Sequence, residues 1–322
     1  MKYHFHILII TIVSLTLTGC SQKYISVKTV VPAKFDGALH YKHLSILPTQ
    51  NDTFQTARFL EEKLLEKHFN GTQLFQLVSS RNALPSSIKQ PHVSSDIDAY
   101  IAIHIDIPVI YDTPYYVERI RCSDSKCKHS YTVYVPCVER SYSTSISFQM
   151  IDAKNSNLIL SKNFSKSSQD RACHSSGYNQ LPNTEFHLKI MQEQIVNDFI
   201  AHISPTYYAI NARLAFKEPK IELTRESENI LESGIEALKN NNTSLAKGYF
   251  EKVLSMTNNQ SYVATHNLGL VYEAKGDFNS ANAFYQKCTT LVKNISEHLE
   301  LELSLGRIQK SLENEKAAMK QI

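Results

Sequence analysis

Residues 139–151 read Glu-Arg-Ser-Tyr-Ser-Thr-Ser-Ile-Ser-Phe-Gln-Met-Ile, and their alternation decides the fold of the first half of the chain. Tyr142, Thr144, Ile146, Phe148 and Met150 fall on one side, and Ser141, Ser143, Ser145, Ser147 and Gln149 on the other. A period of two belongs to a β-strand, and one apolar side backed by a hydroxyl-rich side describes a strand lying on a core with its back to water. Asp152–Asn157 is a turn-rich hexapeptide, after which Leu158–Ser165 returns as a partner strand. Upstream, Tyr115–Arg121 and His129–Val135 form a hairpin. Before it, Ile101, Ile103, Ile105, Ile107 and Val109 alternate against Tyr100, Ala102, His104 and Asp106.

Farther out, helices frame these strands. Leu39–Leu47 is a strand candidate stopped by Pro48. Phe54, Ala57, Leu60, Leu64 and Phe69 then recur at helical spacing, with Asp52 or Thr53 to cap them. Asn70-Gly71 closes that helix, Gln73–Ser79 is a second strand, and polar Ser86–Ser95 is a loop. Thr184–Ile203 is a long amphipathic helix with Phe186, Ile190, Ile195, Phe199 and Ile203, and Tyr207–Phe216 is a last strand before Pro219. Residues 33–219 thus predict an α+β domain, a mixed sheet with helices on one face. Leu44-Ser45-Ile46-Leu47-Pro48, the helix after it, and Phe75-Gln76-Leu77-Val78-Ser79-Ser80-Arg81-Asn82-Ala83-Leu84 resemble the opening of the curli-secretion-channel (CsgG) and TolB amino-terminal superfamily. The resemblance implies a protein of the bacterial envelope. Lipoprotein activators of penicillin-binding proteins have a similar domain, and the curli channel is a ring-forming pore.

From Asn229 the chain repeats itself. Gly234, Ala246 and Phe250 recur 35 positions later as Gly269, Ala281 and Tyr285. Small residues at such places let two antiparallel helices approach, and the aromatic fills the gap between successive pairs. With Ala237, Leu268-Gly269, Tyr272 and the Gly276-Asp277 turn, the pattern resembles the tetratricopeptide repeat. It places repeats at about 227–260 and 262–295 in an all-α region, 220–322. The first departs from the pattern at Ser233 and in its Asn240-Asn241-Asn242 turn. An amphipathic helix, Ser296–Lys320 (Leu299, Leu301, Leu305, Ile308, Leu312), caps the repeats or begins a third pair. The register puts Leu231, Ile235, Leu238, His266, Leu270 and Glu273 on the concave face. That face is either a groove for a partner's segment or a contact with the capping helix or the other domain.

The first residues read as an address. Ile7–Leu17 is apolar but too short to span a bilayer, and Leu17-Thr18-Gly19-Cys20 resembles the lipobox of bacterial lipoproteins. The resemblance implies a signal peptide over 1–19, acylation of Cys20 with palmitate among its chains, and a lipidated tether over 20–32. The plainer alternative is a secretory peptide with a chance cysteine. Ser21, where aspartate would retain the protein in the inner membrane, favours the outer membrane and a periplasm-facing chain.

An oxidising compartment makes disulfides of Cys122, Cys127, Cys137 and Cys173. The first hairpin closes near Cys122 and Cys127. With Ile151 opposite Leu158, the second hairpin brings Cys137 within one position of Cys173. The pairing expected is Cys122–Cys127 and Cys137–Cys173. A zinc site with His129 or His174 is the alternative, though Cys-x4-Cys-x9-Cys is unlike closed zinc frameworks. Cys288 reads as a buried thiol of the second repeat.

Lys and Arg number 34 against 31 Asp and Glu, so there is no electrostatic case for a nucleic-acid partner. No HExxH, GxSxG, phosphate loop or dinucleotide fingerprint occurs, so no catalytic residue, metal or cofactor is assigned beyond the lipid on Cys20. Tyr115, Tyr116, Arg119 and Arg121 are of the types that anchor interfaces, although aromatic pairs also pack across a long hairpin. The reading is a non-enzymatic outer-membrane adaptor or scaffold. It works through protein–protein contacts in a secretion, appendage or cell-wall assembly, with self-association left open. The alternative is a ring-forming secretion channel of the curli type, for which the serine face of 141–149 lacks the required apolar band.

Overall fold

A computed structural model of the chain describes residues 23–78, 96–173, 181–292 and 295–322. The address segment with Cys20, the loop 86–95 and His174 lie outside them. In chain order the elements are β1 (Tyr24–Val31), a short 3-10 turn (Asp36–His40), β2 (His43–Ile46), α1 (Thr56–Leu65), β3 (His68–Phe69), β4 (Thr72–Gln73), β5 (Gln76–Leu77), β6 (Ala99–Ile105), β7 (Val109–Cys122), β8 (Ser130–Asp152) and β9 (Leu158–Cys173). There follow α2 (Thr184–Ile203), β10 (Thr206–Arg213), α3 (Arg225–Lys239), α4 (Thr243–Met256), α5 (Tyr262–Lys275), α6 (Phe278–Cys288) and α7 (Ile295–Gln321). They form two compact units. One is Ala33–Thr206 with Gln321–Ile322; the other joins the described residues up to Pro32 to Tyr207–Lys320. The fold is therefore an α+β unit followed by helices that carry the repeat.

In the first unit the sheet order is β5-β2-β6-β8-β7, with β9 on the other side of β8. β2 runs parallel to β5 and β6, while β6, β7 and β9 run antiparallel to β8. β6 and β7 share one edge of β8, against Ile146–Asp152 and Ser130–Ser143 respectively. The alternation of 141–150 has its physical counterpart: Tyr142, Thr144, Ile146, Phe148 and Met150 are all buried. α2 covers them, with Phe199 stacked on Phe148 at 4.1 Å and Leu188 and Met191 against Tyr142. Asn183 caps α2 by accepting the Phe186 N–H, and the Asp52 carboxylate caps α1 by accepting those of Thr56 and Ala57. Thr56 then donates to Gln192 at 2.7 Å, tying α1 to α2.

Three expectations need correcting here. Ile107 and Val109 do not continue the face of Ile101–Ile105. The strand stops before Pro108, which has no N–H to give a ladder, and both side chains are exposed. The two strands expected over 129–135 and 139–151 are one, β8. Pro136 lies one position beyond the last described β8–β9 row, Cys137–Cys173, where the ladder among the described residues asks for no N–H on that side. Finally, β10 does not join the mixed sheet. It pairs with β1, inside the stretch read as a tether, as a separate two-stranded sheet of the second unit. Ile25, Val27 and Val30 of β1 are buried, so this short alternation is a strand with a core to cover.

In the second unit two helix hairpins are built alike. A Cβ placed on Gly234 would sit 2.7 Å from the Phe250 ring, and one on Gly269 2.5 Å from the Tyr285 ring. The aromatic therefore rests where only glycine leaves room. Asn242 and Asp277 cap the second helix of each pair by accepting the N–H of Leu245 and Ser280. Gly276 ends α5 in the left-handed region at φ 84°, the conformation glycine adopts without steric cost.

Candidate interaction surfaces

The six residues assigned to the concave face, Leu231, Ile235, Leu238, His266, Leu270 and Glu273, are all buried, which favours the contact within the chain over the open groove for a partner. The chain's own last helix meets two of them. Leu301, Ser304, Ile308 and Ser311 of α7 recur at helical spacing and are buried. His266 Nε2 lies 3.2 Å from Ser304 Oγ. Arg307 forks onto the fully buried Glu273 carboxylate, with Nε at 2.6 Å and Nη2 at 2.9 Å, and Tyr285 donates its hydroxyl to the same carboxylate at 2.7 Å.

The electrostatics follow from burial. Burial drives the His266 imidazole down to about 4, helped by the Arg307 charge, so it is neutral at physiological pH. Burial and then the Glu273 charge raise the Tyr285 hydroxyl well above its ordinary value, keeping it a donor. Burial is the largest influence on the Arg307 cation and works against it, but the hydrogen bonds to Glu273 and the electrostatics of Tyr285 and Glu273 together outweigh it and raise the group. Arg307 is the residue the sequence reading missed; a glutamate on an apolar helix face was the available signal, since it needs a cation. Leu299, counted with the buried face of this helix, is exposed. With Ile295 and Leu303 it forms a solvent-facing stripe at i, i+4 and i+8.

The second surface is a ribbon. Cys137 and Cys173 stand directly opposite in the β8–β9 ladder, because a β-bulge between Met150 and Ile151 shifts the register by one, and they form a disulfide. A second disulfide joins Cys122 and Cys127, so none of these four thiols is left for zinc. Cys288 is free and buried, and burial pushes its thiol up. Among the described residues, β7 and β8 run on without β9 from the Tyr115–Cys137 row to the Cys122–Ser130 row. At the base Arg140 grips Asp112 through Nε and Nη2, at 2.6 and 2.7 Å. At the tip the Asp124 carboxylate accepts the N–H groups of Lys126, Lys128 and His129, which hold it below the usual range. Tyr116, Ile120 and Tyr134 share one face and are 71%, 75% and 64% exposed. Arg119 and Arg121 are exposed on the other face, where Tyr115 is half-buried.

Ser168 Oγ lies 2.6 Å from His187 Nε2, and His187 Nδ1 lies 3.5 Å from Asp170. The trio has the order of a nucleophile, base and orienting acid. Yet Ser168 Oγ also meets Met191 Sδ and the His187 ring lies flat on Tyr142 at 4.3 Å, so it serves as a clasp between β9 and α2.

A profile of the tetratricopeptide repeat family matches residues 264–293, the stretch occupied by α5 and α6. No curated protein matches the chain. Among solved structures, a minor lipoprotein from Acinetobacter baumannii aligns with 13% identity over 50% of this chain and 87% of its own, at a TM-score of 0.22. A score that low does not establish a shared fold, so the architecture rests on the strands and helices described above. No helix among the described residues is long and apolar enough to cross a membrane.

Proposed function

We propose that the chain is a periplasm-facing lipoprotein of the outer membrane. In this reading it is held by lipid on Cys20 and acts, without catalysis and without a cofactor, as an adaptor or scaffold for protein partners in an envelope assembly. The observation that carries the reading is the tetratricopeptide repeat at 264–293, a module that in general mediates protein–protein contacts. The lipobox-like Leu17-Thr18-Gly19-Cys20 supports the anchor, and two disulfides in one unit suit an oxidising compartment. The order β2, α1, β5, with β5 parallel to β2 and Pro48 just beyond it, is in keeping with a CsgG/TolB-like domain. With the six face residues buried and two of them met by α7, an exposed stripe of Ile295, Leu299 and Leu303 is a surface in the second unit that a partner could take.

The test is made in the native envelope. Cys20 takes up labelled palmitate, and Cys20→Ala abolishes the label. A photo-crosslinker at Leu303 captures one or a few discrete proteins. No palmitate label at Cys20, together with the absence of discrete crosslinks, overturns the reading. Closed rings of eight or more copies in detergent-extracted protein would replace it with the channel.

A further inference from the structure

Two strands alone are marginally stable in water, yet this ribbon projects seven residue steps past the last row shared with β9. A disulfide at its base and another at its tip stiffen it. A stiffened ribbon that keeps Tyr116, Ile120 and Tyr134 in water carries an exposed apolar patch that a monomer has no use for. Its charge is also skewed. Residues 115–135 hold four basic side chains against two acidic ones, giving +2 of the whole chain's +3. One of the two acids, Asp124, is engaged by the N–H groups of the turn.

We propose that the tip of this ribbon docks on an anionic phospholipid surface. Tyr116, Ile120 and Tyr134 enter the headgroup region while Lys126 and Lys128, exposed in the tip turn, meet lipid phosphates, and Arg119 and Arg121 on the opposite face add to the positive field. Tyrosine is a residue of membrane–water interfaces, having an apolar ring and a polar end, and Lys and Arg reach past it to the headgroups. The surplus of positive charge selects an anionic surface. The ribbon is too short and too polar to span a bilayer, so it lies at the surface. This goes beyond the adaptor reading and does not depend on acylation of Cys20.

Glu118, opposite Tyr134 on the apolar face, supplies an internal control. Its carboxylate repels anionic lipid, so removing it should strengthen binding. The experiment is co-sedimentation of residues 21–322, the chain without the signal peptide and the acylated cysteine, with two kinds of vesicle, phosphatidylcholine alone and an equal mixture of phosphatidylglycerol and phosphatidylcholine. Binding is expected to the mixed vesicles and to fall as salt is added. Lys126→Gln with Lys128→Gln should weaken it roughly twenty-fivefold, at about a factor of five for each surface cation. Glu118→Gln should tighten it about fivefold by the same rule. Ile120→Ser should weaken it without changing its salt dependence. All four substitutions are at exposed positions of a disulfide-closed ribbon, and unchanged circular dichroism verifies the fold. Equal binding to both vesicles, no binding to either, or loss of binding in Glu118→Gln overturns the proposal. A discrete protein crosslinked through residue 120 in the absence of vesicle binding would assign the tip to a protein instead.

Discussion

Arg307→Met isolates the contact that closes the repeat. Arg307 is mostly buried, and its guanidinium makes two hydrogen bonds to Glu273, whose side chain is wholly out of water. Removing it leaves that carboxylate with the Tyr285 hydroxyl as its remaining hydrogen-bond donor among the described contacts. Stripping one partner from a buried ion pair costs about 3–5 kcal/mol, against about 0–1 kcal/mol for a surface pair. For a unit of this size that is roughly 10–20 °C in melting temperature. The double variant Glu273→Gln/Arg307→Met removes the orphaned charge and should recover about half of the loss or more, since buried pairs replaced by neutral groups are often close to neutral. The assay is a double-mutant cycle by urea denaturation, followed by helical circular dichroism. Hydrogen exchange should place the loss in α5 and α7. A cost below about 1 kcal/mol for Arg307→Met, or a double variant no more stable than the single one, would refute the view that this pair locks α7 onto the repeat.

Three further outcomes follow from the same unit and its neighbour. His266 is buried neutral with its pKa lowered to about 4. The unfolded chain therefore binds the proton first, and stability falls as pH drops from about 6.5 towards 4, by up to about 3 kcal/mol, and is level above that window. His266→Gln should flatten this slope in urea melts at stepped pH, and an unchanged slope would exclude His266 as its source. Gly269→Ala, whose methyl would sit 2.5 Å from the Tyr285 ring, should cost about 1–3 kcal/mol. Gly306→Ala, which meets nothing within 4 Å, should gain about 0.5–1 kcal/mol, so equal effects in thermal melts would contradict the close packing at Gly269. Replacing Cys137 and Cys173 by alanine opens a 36-residue separation and should cost about 3–4 kcal/mol by chain entropy; a cost under about 1 kcal/mol would mean the β8–β9 ladder holds the rows without it.

What the sequence disclosed follows from the range of each signal. The alternation over 141–150 names its own buried face, because side chains two apart share a face whatever the partner strand. The hairpin register fell one position short of placing Cys137 opposite Cys173, and the missing position is the bulge at Met150–Ile151, which no local pattern announces. Tyr24–Val31 and Thr206–Arg213 are both recognisable as short extended segments, but their pairing spans most of the chain, and neither carries a mark of its partner. The repeat shows the same division. Glycine and aromatic spacing placed Gly269 against Tyr285, yet the residues lining the face carry no sign of what covers it. Glu273 is the exception: a carboxylate among apolar residues demands a cation, and helical spacing on α7 places Arg307 one turn from Ser304, the neighbour of His266. The packed side of α7 carries Leu301 and Ile308 beside Ser304 and Arg307, so apolar burial holds the helix while the ion pair and the His266 contact specify where it sits on the repeat. Ile295, Leu299 and Leu303 lie on another side, turned to solvent, and under the proposed function they are the part of the helix left for a partner.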